Sequence, residues 1–355
     1  MRLLAVMLPG PKEATLSSVQ GPDCRVLFTR YERIGDMIMA TSLIRNIALS
    51  LPSGRVDVLA TSRNAPVLEG NPYVGKVLML ERGSIKSYRE VMKQIRRERY
   101  TVMVDGRINN PPVFTSTPLL MCAGRVQFRV GAEGDNTARI YNVPVPAWDR
   151  VEHYIDGSKQ LAVPFGVNPT SVDWQPEIFL SPEEIAGADE RWNAARSLIS
   201  NAGEAGTGGK RLLVNLSASE PKRRWPDGKF IATMQGARKR FPGMPMIVMG
   251  LPGEWSSVQE VANAVQALPA ETPRLRDALA LVGTADMVFT PDTSISHAAS
   301  AFRKPSLVLL KREHKAYFPY NSPGEIVYWD DDNFQLLPYE TVAKALDTLL
   351  TKFGG

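Results

Sequence analysis

Short aliphatic and β-branched runs alternate along this chain with segments of helical period. RVLFT (25–29), RVDVLAT (55–61), KVLML (76–80) and TVMVDG (101–106) are brief, rich in Val, Leu and Met, and read as buried strands. Between them, RIGDMIMATSLIRNIALSLP (33–52) places Ile34, Met37, Ile38, Leu43, Ile44, Ile47 and Leu51 at roughly helical spacing, and SIKSYREVMKQIRRE (84–98) reads as a further helix. The order is βαβ, which calls for a parallel sheet covered on both faces.

YNVPVPAWDR (141–150) is broken by proline, and VPFGVNPTSVDWQP (163–176) is richer still in Pro and Gly, so a domain boundary is expected near residue 165. A second series follows. Ser181 and Glu184 form a capping box that opens a helix over 181–200, and NAGEAGTGGK (201–210) reads as a flexible loop. RLLVNLS, a helix from Trp225, PMIVMG, a helix from Glu254, DMVFT, a helix from Thr293, and PSLVLL complete the series. The expected architecture is two α/β domains in tandem, 1–165 and 166–355, with the extreme C-terminal helix a candidate to pack back on the first. Ligands of such sheets bind at the carboxyl ends of the strands, and two such domains facing each other make a cleft.

Composition narrows the partners. A chain of 355 residues, 44% of them hydrophobic, can fill two cores. A formal charge of +5 and a pI near 9.1 favour anions, but 22% charged residues of interspersed sign is not the make-up of a polyanion-coating protein. An acidic substrate or surface fits better than nucleic acid. Cys24 and Cys122 stand far apart in no metal-ligand spacing, which argues against a disulfide framework or a zinc site and for a reducing, cytoplasmic setting. MRLLAVMLPGPKEA has a short apolar run ended by Pro9 and reads as a tail or a first strand rather than a signal peptide. No run approaches the ~18 apolar residues of a membrane helix.

Several motifs are decoys. GEAGTGGKR resembles a phosphate-binding loop, but Glu204 and Arg211 occupy positions that should be Gly and Ser or Thr. No GxGxxG follows the first strand, which removes the main support for a dinucleotide oxidoreductase. WDDDNF (329–334) reads as a solvated turn, so no metal is expected. His153 and His314 have no evident sequence partners and take a structural reading.

Three segments at successive strand ends carry more. In ADMVFTPDTSISHAASAF (285–302) a strand runs into Asp292, Thr293 and Ser294, with His297 near the first turn of the helix that follows, and a hydroxyl-rich helix start can hold a phosphate. NLSASEPKRRWP (215–226) places Lys222, Arg223 and Arg224 where cations would neutralise a diphosphate. MGLPGEWSSV (249–258) sets Glu254 where an acid could accept from a ribose. Taken one at a time these are a capped helix, a solvated basic triplet and another cap; together they mark one nucleotide site. Asp36, beside Gly35 at the mouth of the first helix, is either a cap or a catalytic carboxylate.

The paired signatures RIGDMIMATSLIRNI…VDVLATSRNAPVLEGNPYVGKV and NLSASEPKRRWP…GLPGE…DMVFTPDTSISHAAS…KPSLVLL resemble glycosyltransferase family 9, the ADP-heptose:lipopolysaccharide heptosyltransferases, from about residue 25 to 311. The resemblance implies a GT-B fold of two Rossmann-like domains, an acceptor-binding first half, a nucleotide-sugar-binding second half, and inverting transfer without a metal or other cofactor. It maps the catalytic base onto Asp36, with Arg33 and Gly35 on the acceptor side, the family's Asp-Thr-Gly-x-x-His phosphate motif onto Asp292, Thr293, Ser294 and His297, and the basic residue ahead of its Trp-Pro pair onto Arg223, with Lys222 displaced by one. Ser294 departs from the usual Gly, and its Cβ limits the approach of backbone to phosphate. The implied partners are an ADP-heptose-like donor and a glycan or glycolipid acceptor such as lipopolysaccharide core, with a monomer or weak oligomer. The alternatives are an epimerase or phosphorylase on the same fold and a non-catalytic module for anionic glycans. Lys86, Arg89, Lys93, Arg96 and Arg97 add a basic stripe, either a solvated face or a peripheral contact with an acidic glycolipid or the inner leaflet.

Overall fold

The structure, a computed structural model, describes residues 24–108, 116–134, 140–200, 209–218, 220–331 and 333–354. The N-terminal segment and most of the glycine-rich loop at 201–208 lie outside the described residues. Two compact units result, Met1–Glu177 and Ile178–Gly355.

The first unit runs β1 (Val26–Thr29), α1 (Ile34–Ser50), β2 (Val56–Ala60), β3 (Val74–Met79), α2 (Ile85–Glu98), β4 (Val102–Asp105), α3 (Thr117–Ala123), β5 (Phe128–Ala132), β6 (Val143–Val145) and α4 (Tyr154–Ser158). The second runs α5 (Pro182–Ser200), β7 (Leu212–Asn215), α6 (Asp227–Arg240), β8 (Met246–Met249), α7 (Trp255–Ala264), β9 (Leu268–Ala270), α8 (Leu275–Thr284), β10 (Met287–Pro291), α9 (Ser294–Ala301), β11 (Ser306–Lys311), β12 (Gly324–Trp329) and α10 (Tyr339–Phe353). Each has a six-stranded sheet, ordered β3-β2-β1-β4-β5-β6 and β12-β11-β10-β7-β8-β9, and the strands pair in parallel throughout. Read from its own first strand, each sheet has the doubly wound order 3-2-1-4-5-6.

Leu27, Leu59, Leu78 and Met103 of the first sheet pack with Val91 and Ile95 of α2. Leu212, Val214, Met246, Val248 and Phe289 of the second pack with Trp225 and Phe230, whose rings meet edge to face at 4.9 Å. Val342, Leu346, Leu349 and Leu350 of α10 join this second core. The expected caps form: Ser181 and Glu184 exchange bonds of 2.9 and 3.2 Å ahead of α5.

The division falls after Glu177 rather than near residue 165, because the Pro-rich segment is fastened to α1. Arg45 donates to the carbonyls of Asp173 and Gln175 and to the carboxylate of Glu177 (2.5, 3.2 and 2.6 Å), while Thr41 accepts from the Glu177 N–H at 2.9 Å. The proline-broken stretch at 143–145 is likewise no linker but the edge strand β6, where Pro144 is tolerated because an edge strand need not donate on its outer side. Among the described residues no helix is long and apolar enough to cross a membrane.

Candidate active site

Ligands of doubly wound sheets sit at the carboxyl ends of strands where the order reverses. In the first unit that place lies between β1 and β4. The chain leaving β1 passes through Arg30 to Arg33, and Arg33, extended at φ −123° and ψ 156°, is the N-cap of α1 without a side-chain capping bond. Asp36 is the third helical residue, in the turn where the helix dipole favours a negative charge. It is not the cap. Its Oδ2 lies 3.1 Å from Nη2 of Arg30, and its side chain keeps 18% of its exposure.

Arg30 is almost completely buried. Its Nη1 lies 3.7 Å from Glu32, its guanidinium sits over the Tyr154 ring at 5.4 Å, and its carbonyl accepts from Asn64 at 2.9 Å. Burial works against its charge, but the Asp36 carboxylate, helped by Tyr154, Glu32 and Asp105, more than offsets that and raises its pKa. At the end of β4, Asp105 is buried and holds Arg107 through two bonds, Nε to Oδ1 at 3.0 Å and Nη2 to Oδ2 at 2.7 Å. Tyr141 donates to the same carboxylate at 2.7 Å, and Arg107 reaches Glu32 at 3.5 Å. Burial and then Asp105 raise the pKa of Tyr141, which keeps its hydroxyl a donor. A Cβ at Gly106 would stand 2.8 Å from the Thr29 carbonyl, so only glycine lets the β4 exit close on β1 and bring these groups together. The result is an alternating series, Asp36, Arg30, Glu32, Arg107, Asp105, with Asp36 at its more exposed end.

In the second unit the order reverses between β7 and β10. Here Asn215, buried at the end of β7, donates to Thr290 at 3.0 Å and to Thr293 at 3.4 Å. Thr293 caps α9 by accepting from Ile295 N–H at 3.2 Å, and Ser296 donates to the Thr293 carbonyl at 2.7 Å. Ser294 opens α9 and is not among the positive-φ residues, so its Cβ meets no backbone strain there. His297 is buried in the next turn.

Glu254 was expected as an acid at a helix start, and its carboxylate turns back to the strand ends. It accepts from Ser217 Oγ at 2.6 Å and from Leu251 N–H at 3.0 Å, and Arg224 stands 3.3 Å away. Arg224 is also bonded to Asp227 at 2.6 Å, so this member of the basic triplet organises the loop. Lys222 and Arg223 lie in a short 3₁₀ turn (Pro221–Arg223) and make no ion pair among the described residues. Asp292 Oδ2 lies 3.1 Å from His314 Nδ1 and accepts from it in the tautomer that carries its proton there. The reading of His314 as lacking a partner is therefore corrected: its partner lies 22 residues upstream on another strand end. An open depression of about 680 Å³ lined by Lys311, Arg312, Glu313, Lys315, Tyr328 and Asp330, of mixed charge, adjoins it at the ends of β11 and β12, off the point of reversal.

Among the described residues no three His, Cys, Asp or Glu side chains are grouped to hold a metal ion. Asp330 pairs with Arg312 at 2.6 Å, Asp331 accepts from Asn333 N–H at 2.7 Å, and Asp332 is outside the described residues. Sequence reasoning missed Arg30, Glu32, Asp105, Arg107, Asn215 and Ser217. The available signal was position, since each is a polar residue at or just beyond the last residue of a buried strand.

Comparison with known proteins bears on the fold and the family. The sequence profile of glycosyltransferase family 9 (heptosyltransferase) matches residues 88–334. Lipopolysaccharide heptosyltransferase 2 of Escherichia coli K12 is 23% identical over 297 residues, 78% of this chain and 79% of that protein. Among solved structures, a family 9 glycosyl transferase from Veillonella parvula superposes with a TM-score of 0.74 at 16% identity, covering 93% of this chain and 98% of the other. An E. coli heptosyltransferase solved with ADP gives 0.69 at 13%, covering 93% and 99%. Two parallel-sheet Rossmann-like units of the GT-B type, polar groups gathered at both points of strand reversal, and a profile match over most of the chain lead to one conclusion: this chain belongs to glycosyltransferase family 9, the heptosyltransferases, and is a glycosyltransferase.

Proposed function

We propose that the protein transfers a heptose, with inversion, from an ADP-heptose-like donor to a hydroxyl of a glycan or glycolipid acceptor such as lipopolysaccharide core, without a metal. In this reading an acceptor oxygen attacks the anomeric carbon, the carbon–oxygen bond to the diphosphate breaks, and its electron pair leaves with the nucleotide. Asp36 takes the proton lost by the attacking hydroxyl. Thr293, Ser294 and the free N–H groups of α9 meet the diphosphate, Lys222 and Arg223 neutralise it, and Glu254 accepts from the ribose. Asp292 and His297 complete the phosphate motif, while Arg33 and Gly35 face the acceptor. Such a reaction suits the reducing, cytoplasmic setting that the two cysteines suggest.

The observation that carries the reading is the state of Asp36. It stands at a point of strand reversal, makes no capping bond, and is anchored through one oxygen by a buried guanidinium. A structural aspartate in the first helical turn would be expected to spend its carboxylate on helix N–H groups. ADP held by a solved relative supports the choice of nucleotide. The test is transfer from ADP-heptose to heptose-deficient lipopolysaccharide core, followed by ADP release and by the anomeric configuration of the product. A β-to-α or α-to-β change that is lost in Asp36→Asn supports the proposal; retention of configuration, or wild-type turnover in Asp36→Asn, overturns it.

A further inference from the structure

Helix α2 carries a face that neither the core nor the transfer reaction uses. At 100° per residue, Lys86, Arg89, Lys93, Arg96 and Arg97 fall within an arc of roughly 100°, and all five are exposed. Val91 and Ile95, on the opposite side, are buried. Residues 81–99 hold seven Lys and Arg (82, 86, 89, 93, 96, 97, 99) against three Glu (81, 90, 98), a net +4 in a chain whose formal total is +5. Glu98 is held chiefly by Arg25 and Lys76, at 3.0 and 2.7 Å, and also reaches Arg97 at 3.6 Å, while Glu90 pairs with Lys93 at 2.9 Å. Lys86 and Arg89, like Arg96, make no ion pair among the described residues.

The surface extends beyond one helix. Tyr88 bonds Ser116 at 3.0 Å and Arg96 bonds the Ala123 carbonyl at 2.9 and 2.7 Å, so α3 is tied alongside α2 from end to end. Large aliphatics stand out on these two helices: Ile85 is 71% and Leu119 41% exposed. A cationic arc fringed by exposed aliphatic side chains matches one kind of partner in both respects, a surface with anionic headgroups outside and hydrocarbon beneath. For single-stranded nucleic acid, stacking rings would be needed, and Tyr88, the aromatic residue of α2, is half-buried with its hydroxyl on Ser116.

We infer that this face of the first unit docks on anionic phospholipid, with Lys86, Arg89, Lys93 and Arg97 over headgroup phosphates and Ile85 entering the acyl boundary. The inference stands apart from the transfer reaction, because vesicle binding needs neither donor nor acceptor. The full chain should co-sediment with vesicles of phosphatidylcholine containing phosphatidylglycerol, not with phosphatidylcholine alone, and salt should weaken the binding, since the attraction is screened within about 8 Å at physiological ionic strength. Each basic residue near such a surface contributes roughly fivefold to partitioning, so Lys86→Glu/Arg89→Glu/Arg97→Glu should lower it by about 100-fold or more. Arg89→Gln/Lys93→Gln, which only neutralises, should act in the same direction by less. An unchanged melting temperature and unchanged ADP binding identify the variants as folded. Equal binding of wild type and triple variant overturns the proposal, as does wild-type protein that ignores anionic vesicles or that binds an oligonucleotide in their place.

Discussion

The two points of strand reversal share one topology and differ in chemistry. At the first, between β1 and β4, five charges of alternating sign are packed together: Asp36, Arg30, Glu32, Arg107 and Asp105. At the second, between β7 and β10, the buried Asn215 and Thr290 are neutral and bond the half-buried Thr293, with charge at the margin in Asp292, Glu254 and Arg224. A carboxylate that is to accept a proton, the role proposed for Asp36, needs a fixed direction and a retained charge, which a buried guanidinium supplies. A site for a substrate that carries its own negative charges is better served by neutral donors and a helix N-terminus, with cations at the rim. The fold offers a place twice, and the residues at the strand ends decide what each place can do.

Four measurements would break or sharpen this contrast. Arg30→Met should have the largest effect, since it leaves Asp36 and Glu32 without their buried counter-ion; a loss of about 3 kcal/mol is the low end for a broken buried pair. It would be read as an earlier urea or thermal transition, and Arg30→Lys should recover part of it. If Arg30→Met melts with the wild type, the charge series is not a structural unit.

Asp36→Asn should lower turnover by about 10²-fold or more, the scale of general-base contributions, with ADP affinity unchanged by calorimetric titration. Because it also removes one of Arg30's carboxylates, a modest fall in melting temperature should accompany it, smaller than that of Arg30→Met. Wild-type turnover would return Asp36 to a purely structural role.

Thr293→Val reverses the emphasis. It deletes a hydroxyl proposed to meet the diphosphate, so ADP binding should weaken by about 1–2 kcal/mol, with the loss of the α9 cap adding to any destabilisation. Should affinity hold while only stability falls, the hydroxyl serves the helix and not the ligand. The smallest effect is expected from chelation: excess EDTA should leave activity unchanged if, as proposed, side-chain cations and helix N–H groups do the neutralising. Activity lost to EDTA and restored by manganese would oppose that reading and return attention to residues 329–334.

Much of the fold was legible in the order of residues. Central strands such as 26–29, 102–105 and 212–215 are short, fully buried runs, apolar up to a polar last residue, because both faces of a parallel sheet are covered. The edge strand β3 was read from KVLML, but two others were harder. Val143–Val145 is interrupted by proline and Leu268–Ala270 spans three residues, and neither carries a period long enough to read. The domain boundary was misjudged for a related reason: Pro and Gly mark a chain that is not helical, but whether it is a free linker depends on what it touches, here Arg45 and Thr41 of α1.

The site divides the same way. Local sequence suffices for what local backbone decides, and it pointed to Asp36, Thr293 and Glu254 as polar residues at helix starts after buried strands. It could not say which way their side chains turn. Thr293 does cap its helix, and Glu254 accepts from the Leu251 N–H while also reaching Ser217 and Arg224, whereas Asp36, in the same local setting, turns to Arg30. Nor could it pair Asp292 with His314 or Asp105 with Tyr141, since those partners are set by the order in which strands lie side by side. A capping bond spans two or three residues and is written in sequence; an ion pair between strand ends exists only once a parallel crossover has brought distant residues to the same edge of the sheet.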